Sequence, residues 1–345
     1  MLVLVAAIAM GAFFYSQSKS RPTTVGLPEI TNNLSSQKKI EPTPIPFVEM
    51  TVPYQKDKQY ESTLGEQIKL SENSSYTSYT TSYRSDGLKV NGLLTIPKGT
   101  MPENGWPAIV FVHGYIPPTL YQTTKNYGSY VDALAKQGFV VFKIDLRGHD
   151  ASEGEAGGAY YSADYVSDTL HARAALQNSR FVDKRFVGLC GHSMAGNILM
   201  RSVVAKPEIP AVVIWAGAVY SYTDLQKYGI DDNSYRPPTD NTERMRKRQL
   251  LREAHGDFSE QSDFWKQVAA TNYLADIKGA VQIHHAIDDT VVNIGYSRDL
   301  IRLLTTAGIR SELHEYQSGG HNINGSNFTA AMNKTVQFFK QHLSP

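Results

Sequence analysis

Ser193, His321 and the adjacent pair Asp288 and Asp289 are the residues of this sequence that could act together on a carbonyl group. A serine hydroxyl is a weak nucleophile until a neighbouring base removes its proton. A histidine imidazole can accept that proton, and a carboxylate can fix the imidazole tautomer and stabilise its charged form. These residue types therefore predict nucleophilic catalysis through a covalent intermediate, provided that the fold brings them together.

The segment around Ser193 predicts a strand, a tight turn and a helix. Residues 186–190, FVGLC, are an apolar run typical of a buried parallel strand, and residues 197–200 are compatible with a helix. The turn between them, GHSMAG, fits the pattern G-x-S-x-G except that alanine occupies the last position. Small residues leave room for such a turn, and the predicted nucleophile elbow around the serine consists of Gly191, His192, Ala195 and Gly196. The alternative is an ordinary serine in a loop between a strand and a helix.

The candidate acid and base follow two later strands. Asp288 and Asp289 come directly after one apolar strand candidate, and His321 follows the next. Because the carboxyl ends of parallel strands lie at one edge of a sheet, we expect both loops to approach Ser193. The chain order serine, aspartate, histidine is the one expected on this topology. Local spacing does not choose between the two aspartates, and His192, beside the serine, is expected to point elsewhere.

A negatively charged oxygen forms when a serine attacks a carbonyl, and two backbone N–H groups are needed to stabilise it. One candidate is the amide of Met194, which follows the serine. The other is the amide of Tyr115, because the segment His113-Gly114-Tyr115 follows a further apolar strand. We expect Gly114 to give that loop the freedom to aim the Tyr115 N–H inward.

The rest of the chain predicts an α/β fold in which strands and helices alternate. Residues 76–83 and 88–96, joined by Ser-Asp-Gly, indicate an antiparallel hairpin. The further strand candidates are 108–112, 139–144, 186–190, 211–215, 281–285 and 311–316. The helix candidates are 130–137, 164–177, 195–205, 294–306 and a terminal helix at 328–343. This order favours a mostly parallel, doubly wound sheet with an antiparallel N-terminal hairpin.

Three segments lie outside that alternation. Residues 217–278 are rich in aromatic side chains and predict a small helical lid insertion above the strand ends. Residues 1–18 begin with an apolar run and predict a signal peptide or membrane anchor, hence an extracytoplasmic protein that is secreted or tethered. Residues 19–74 are rich in proline and serine and predict a linker, which leaves 75–345 as the catalytic domain.

Composition restricts the class of function. The chain has 345 residues, 41% of them hydrophobic, a formal net charge of +1 and no long basic tract, so nucleic acid is not an expected partner. Cys190 is the single cysteine, which excludes an internal disulfide. It precedes the predicted elbow and is expected to be a buried small hydrophobic residue.

Five motifs occur in the order VFVHGY, DLRGHDASEG, GHSMAG, HAIDDTVV and SGGHN. Together they resemble the α/β-hydrolase superfamily, in the branch of prolyl-oligopeptidase-like domains, dienelactone hydrolases and feruloyl or cinnamoyl esterases. The resemblance covers roughly residues 76–343. It implies Ser193 as nucleophile, His321 as base, and the amides of Tyr115 and Met194 as oxyanion donors.

The same resemblance bears on the acid and on one loop. The family's acid is followed by two residues and a valine, which matches Asp288 with Val291 and leaves Asp289 as the reserve. The tetrapeptide DLRG at 145–148 resembles a structural turn of the family. The family usually has glycine where Asp150 stands, so the loop there is expected to differ.

These observations predict a serine carboxylesterase that cleaves small or aromatic esters and needs no metal or organic cofactor. The expected partner is a small-molecule ester. One alternative is a peptidase or acyl-aminoacyl hydrolase of the prolyl-oligopeptidase type, although the residues before the domain do not resemble that family's β-propeller. The other alternative is an inactive α/β-hydrolase fold that serves as a binding module.

Overall fold

A computed structural model describes residues 45–157, 160–230 and 242–344, with side chains from residue 245 onward in the last of these ranges. The predicted signal peptide or anchor at 1–18, and the linker as far as residue 44, lie outside the described residues. Within the three described ranges, no helix is both long enough and apolar enough to cross a membrane.

The centre of the structure is a sheet to which the described chain contributes nine strands in the order β1-β2-β3-β5-β4-β6-β7-β8-β9. The strands are β1 (Ile68–Glu72), β2 (Tyr76–Ser85), β3 (Leu88–Pro97), β4 (Trp106–Val112), β5 (Val140–Ile144), β6 (Val182–His192), β7 (Ala211–Trp215), β8 (Ala280–Ala286) and β9 (Ser311–Tyr316). From β5 to β9 all neighbouring strands pair in parallel, whereas β1, β2, β3 and β5 pair antiparallel. The predicted mostly parallel sheet with an antiparallel start is confirmed.

Helices connect the strands and cover both faces of the sheet. They are α1 (Val52–Asp57), α2 (Gly128–Ala135), α3 (Asp164–Gln177), α4 (Ala195–Ala205), α5 (Tyr222–Tyr228), α6 (Thr242–His255), α7 (Asp263–Val268), α8 (Gly295–Thr306) and α9 (Ser326–His342). Helices α3, α4 and α8 share one apolar core with the sheet, and α2 and α9 share the other.

Strand β4 shows how the sequence builds both cores. Val110 and Val112 pack into the core beneath α3 and α4, whereas Ile109 and Phe111 pack into the core beneath α2 and α9. Successive side chains of a strand point to opposite faces, so a strand covered on both faces is mostly apolar and carries a polar residue only where that residue finds a partner. This is why the central strands are largely apolar runs.

The predicted hairpin is also confirmed. β2 and β3 pair from Tyr76 with Pro97 to Ser85 with Leu88. The two turn residues, Asp86 and Gly87, have φ angles of 49° and 85°. Two consecutive positive φ values favour aspartate followed by glycine and match the twist of a two-residue hairpin.

The structure corrects the boundary between linker and domain. The predicted linker extends to residue 74, but α1 and β1 lie within its described part, residues 45–74. The carbonyls of Lys56 and Lys58 each accept a hydrogen bond from Lys206 Nζ, at 2.8 and 3.0 Å. Arg201 Nη2 likewise donates to the Met50 carbonyl at 2.9 Å. These tertiary contacts order a segment whose composition predicts a linker.

The described part of the insertion at 217–278 is helical, with α5, α6, α7 and a 3₁₀ helix at Ala270–Asp276. Its apolar side chains form a cluster of their own with Met50, and the members from the insertion are Tyr222, Leu251, Phe264, Trp265 and Val268. Ala218, at its start, donates its N–H to the Ser193 carbonyl at 3.2 Å. That the insertion covers the site as a lid stays a prediction.

Candidate active site

Ser193 lies between the end of β6 and the start of α4, with a φ of 56°. This left-handed conformation is unfavourable for a residue with a side chain and persists where the surroundings enforce it. The Ser193 N–H donates to the Trp215 carbonyl at 2.8 Å, and the Ser193 carbonyl accepts from Gly196 N at 2.8 Å. Hydrogen bonds on both sides of the residue therefore fix the turn.

Small residues let the turn pass close to its neighbours. A Cβ at Gly191 would lie 2.6 Å from Ala195 Cβ and 2.8 Å from the Val112 carbonyl oxygen. A Cβ at Gly196 would lie 2.8 Å from the Cα of Gly217. Strand, tight turn and helix occur as the sequence predicts, and alanine at position 195 fits.

Three side chains from three loops form one hydrogen-bonded chain at the carboxyl edge of the sheet. Ser193 Oγ lies 2.9 Å from His321 Nε2, and His321 Nδ1 lies 2.8 Å from Asp289 Oδ2. A carboxylate only accepts, so His321 carries its proton on Nδ1 and presents a bare Nε2 to the serine hydroxyl. His321 keeps 17% of its side-chain surface exposed, whereas the Asp289 side chain is fully buried.

The structure pairs His321 with Asp289 and not with Asp288, the aspartate that the resemblance favours as the acid. Asp288 is exposed, and its two carboxylate oxygens accept hydrogen bonds from the backbone N–H groups of Gly319 and Gly320 at 3.2 and 2.8 Å. Its carboxylate therefore supports the backbone of the loop that carries His321. A turn follows β8, in which Asp289 N donates to the Ala286 carbonyl. After this turn Asp289, and not Asp288, faces His321.

The Asp289 carboxylate is held by more than His321. Its Oδ1 accepts the N–H groups of Val291 and Val292 at 2.9 and 3.0 Å, and its Oδ2 lies 3.2 Å from His285 Nε2. Burial acts to raise the pKa of Asp289, but the hydrogen bonds from His285, His321 and the Val292 amide outweigh it and leave the pKa lowered. The acid is therefore ionised near neutral pH.

The predicted oxyanion donors lie on the two expected loops. Met194 precedes the first residue of α4, where backbone N–H groups have no acceptor within the helix. Tyr115 follows β4 and Gly114, and its partly buried ring packs against the core. Their part in binding an oxyanion stays a prediction.

Gly114 has a role other than the predicted flexibility. Its N–H donates to Tyr127 Oη at 2.9 Å, and a Cβ on it would lie 2.6 Å from that oxygen and 3.1 Å from His192 Nδ1. The glycine is therefore required for a close approach. His192 does not point away from the site as expected, because its Nε2 lies 2.9 Å from the His321 carbonyl oxygen.

A buried polar group anchors the loop between Tyr115 and Tyr127. Asp145 accepts hydrogen bonds from the hydroxyls of Tyr121 and Thr123 at 2.9 and 2.6 Å, and Tyr121 accepts one from Lys143 Nζ at 2.7 Å. Burial lowers the pKa of Lys143 to about 8 and raises that of Asp145 to about 6.

Asp150, where the related family usually has glycine, also belongs to this anchor. Its φ is 48°, in the region that glycine favours and aspartate tolerates. Its Oδ2 accepts the N–H of Thr123 at 2.8 Å and lies 2.8 Å from the Thr123 hydroxyl, whose one proton is shared with Asp145. The departure therefore adds a backbone hydrogen bond and leaves the backbone in a conformation suited to glycine.

Two further residue types complete the description of the site. Cys190 is buried at the end of β6, as predicted, and burial raises the pKa of its thiol. In the described part of the chain, no group of three or more His, Cys, Asp or Glu side chains is placed to bind a metal ion.

Comparison with known proteins places this geometry in context. Residues 106–234 match the sequence model of a family described as serine aminopeptidase, S33. An uncharacterized peptidase, YuxL, of Bacillus subtilis (strain 168) is 22% identical over 266 residues, which cover 75% of this chain and 38% of that protein. The chain thus spans well under half the length of this curated relative.

Solved structures of both esterases and peptidases have the same fold. Acetyl xylan esterase 1 from Thermoanaerobacterium sp. JW/SL YS485 superposes with a TM-score of 0.60 at 17% identity, covering 88% of this chain and 95% of that chain. The acylaminoacyl peptidase of Pyrococcus horikoshii gives 0.60 at 18%, covering 79% and 43%. These matches confirm the fold that the motifs predict.

Proposed function

The chain has the α/β-hydrolase fold, and we propose that it is a serine hydrolase that cleaves small or aromatic carboxylic esters. The observation that carries the proposal is the hydrogen-bonded chain from Ser193 through His321 to Asp289, with distances of 2.9 and 2.8 Å. Nucleophile, base and orienting acid are within hydrogen-bond reach of each other, which is the geometric requirement for such a mechanism.

The reaction would proceed in two halves. Ser193 Oγ attacks the ester carbonyl while His321 Nε2 takes the hydroxyl proton, and the amides of Tyr115 and Met194 stabilise the oxyanion. His321 then protonates the leaving alcohol, which leaves an acyl group on Ser193. Water attacks the acyl-enzyme with His321 again as base, which releases the acid. Asp289 stays ionised and stabilises the imidazolium in both halves.

One observation supports an ester over a peptide as substrate. The acetyl xylan esterase is matched over 95% of its length, whereas the acylaminoacyl peptidase is matched over 43%. Ser193 and His321 are partly exposed, which is compatible with access of a small ester. The second candidate, a peptidase or acyl-aminoacyl hydrolase, is favoured by the description of the matching family.

The experiment compares wild type with Ser193→Ala on p-nitrophenyl acetate to octanoate, methyl ferulate and an aminoacyl p-nitroanilide. Ester turnover that disappears in Ser193→Ala, with the anilide left intact, is the expected result. Serine-dependent cleavage of the anilide would move the protein to the peptidase class. Fluorophosphonate labelling separates the inactive binding module from both, because an unreactive Ser193 would leave wild type unlabelled.

We also propose that the apolar N-terminal segment directs export or tethers the protein, on the basis of its composition alone. Fractionation of cells that express the full chain tests this. Recovery from the cytosol in soluble form, with residue 1 intact, would contradict it.

A further inference from the structure

His192 and Tyr127 lie between the two loops that the proposed reaction needs. His192 ends β6, one residue before Ser193, and is 2% exposed. Its Nδ1 lies 2.9 Å from Tyr127 Oη, and its Nε2 lies 2.9 Å from the backbone carbonyl oxygen of His321. Tyr127 Oη in turn accepts the N–H of Gly114, the residue before Tyr115, at 2.9 Å.

The direction of each hydrogen bond follows from the groups involved. A carbonyl only accepts, so His192 carries a proton on Nε2. Burial, and then repulsion from His321, lower the pKa of His192 to about 3, so at neutral pH the ring is uncharged and its Nδ1 is bare. Tyr127 must therefore donate its hydroxyl proton to Nδ1, which leaves its oxygen to accept from Gly114. Each hydrogen bond in this chain therefore has one donor and one acceptor.

Packing leaves these groups little freedom to move apart. The rings of His192 and His321 have centroids 4.6 Å apart, and the ring of Tyr127 lies 5.4 Å from that of Phe111 on β4. A methyl group at Gly114 would lie 2.6 Å from Tyr127 Oη. The loop of Gly114 and Tyr115, the turn at Ser193 and the loop of His321 are thus all joined through the imidazole of His192.

We propose that Tyr127 and His192 form a positioning relay that fixes the loop of Gly114 and Tyr115 relative to the backbone of His321. Neither side chain touches the reacting atoms. The relay acts on Tyr115, the proposed oxyanion donor, through the Gly114 N–H. It acts on His321, the proposed base, through the His321 backbone carbonyl. It rests on the proposed serine-hydrolase reaction of Ser193, since only that reaction requires both loops to hold their positions at once.

An uncharged His192 also suits the chemistry proposed for His321. His321 becomes an imidazolium in each half of the reaction. A second positive charge on a ring 4.6 Å away would oppose that step. His192 accepts from Tyr127 at Nδ1 and donates to the His321 carbonyl from Nε2, so the ring carries one proton and no charge. The opposing charge is therefore avoided.

The test measures kcat and KM for p-nitrophenyl acetate, and the rate of labelling by a fluorophosphonate, in single and double variants. Tyr127→Phe and His192→Phe should each lower kcat and the labelling rate by about 10- to 100-fold with KM within about threefold, since small misplacements cost that much. The double variant should lose no more than the worse single variant, because the two residues act as one unit. His192→Gln keeps an N–H donor for the His321 carbonyl and should recover at least part of kcat.

Tyr130→Phe is the matched control. Tyr130 lies on α2, its ring centroid is 5.5 Å from that of Tyr127, and its buried hydroxyl has no hydrogen-bond partner among the described residues. Loss of the Tyr130 hydroxyl should leave kcat unchanged.

The outcomes separate the two proposals. If wild type is labelled at Ser193 but Tyr127→Phe and His192→Phe, both folded by circular dichroism, match it in kcat, the relay is wrong and the hydrolase proposal stands. Losses that multiply in the double variant would also overturn the relay, because they would show independent roles. If wild type itself neither hydrolyses esters nor reacts with the fluorophosphonate, the proposed function fails, and the relay fails with it.

Discussion

Asp289, and not its neighbour Asp288, receives the Nδ1–H of His321, with 2.8 Å between Nδ1 and Oδ2. Asp288 instead accepts hydrogen bonds from the backbone N–H groups of Gly319 and Gly320, in the loop that carries His321. One carboxylate thus orients the imidazole and the other shapes the loop on which it sits.

Asp289→Asn should therefore lower kcat for a p-nitrophenyl ester by about 10⁴-fold, because an amide in that place favours the wrong imidazole tautomer. Asp288→Asn keeps an oxygen for one of the two glycine amides and should lower kcat by less than about tenfold. Steady-state kinetics on both variants checks this. A larger loss for Asp288→Asn than for Asp289→Asn would reverse the assignment of the acid.

Replacing Ser193 tests the strain stored at the elbow. Ser193→Ala and Ser193→Gly should both be inactive, but glycine accepts a φ of 56° without steric cost. Relief of a strain of about 1–3 kcal/mol is partly offset by the greater entropy of unfolded glycine, so Ser193→Gly should be about 1 kcal/mol more stable than Ser193→Ala. Urea unfolding of the two variants measures the difference, and a Ser193→Gly variant that is less stable than Ser193→Ala would show that the elbow is unstrained.

Gly114→Ala should reduce kcat by about 100-fold, because its methyl group would push against Tyr127 Oη and His192 Nδ1 and displace the loop that carries Tyr115. Gly128→Ala is the control. A Cβ at Gly128 meets no atom within 4 Å, and this residue begins α2. The control should keep its activity and gain about 0.4–1 kcal/mol of stability. Full activity in Gly114→Ala would contradict the close packing.

The buried His284 predicts a pH dependence of stability. Its Nε2 lies 2.7 Å from Gln282 Oε1, an acceptor, so Nε2 carries a proton. Burial, followed by repulsion from His314, lowers the pKa of His284 well below 6.5, which leaves the ring neutral at pH 7. As the pH falls below 6.5 the unfolded chain takes up the proton first. The stability that this residue contributes is therefore complete above pH 6.5 and lost as the pH falls toward the folded pKa.

The plot of unfolding free energy against pH should accordingly be flatter in His284→Gln than in wild type, by about 1.4 kcal/mol per pH unit between pH 6 and 4.5. Asp145 and Asp224, whose pKa values burial raises to about 6, contribute with the opposite sign in this range, since their folded forms bind protons more tightly. They are present in both proteins and cancel in the comparison. Parallel curves would show that His284 does not titrate on unfolding.

Much of the fold could be predicted from the sequence, because buried parallel strands and amphipathic helices leave strong patterns. Strands β7 and β9 and helices α3 and α4 have the predicted bounds. Strand β1 was missed because its apolar alternation is limited to Ile68 and Leu70, which is too short a pattern to stand out in a polar segment. Helix α1 was missed because it has only six residues, and part of its order comes from Lys206, far along the chain, which donates to the Lys56 carbonyl.

The sequence could not decide whether Asp288 or Asp289 is the partner of His321. Asp288 has a valine three residues later at Val291, and Asp289 has one at Val292, so the motif fits both. The choice depends on the turn after β8, in which the amides of these two valines bind Asp289 Oδ1. The link from Tyr127 to His192 spans 65 residues of sequence and leaves no local pattern.

The segment from residue 45 to the end of β1 decides how this protein can be shortened. A chain trimmed to begin at Tyr76, as the periodicity of the sequence suggests, would lose β1 and leave the long edge of β2 unpaired. It would also deprive the buried guanidinium of Arg201 of the Met50 carbonyl. Unpaired sheet edges associate with one another, and an unsatisfied buried charge destabilises the monomer. Such a fragment should therefore aggregate when expressed, whereas one that begins at Ile45 keeps both its edge and its core.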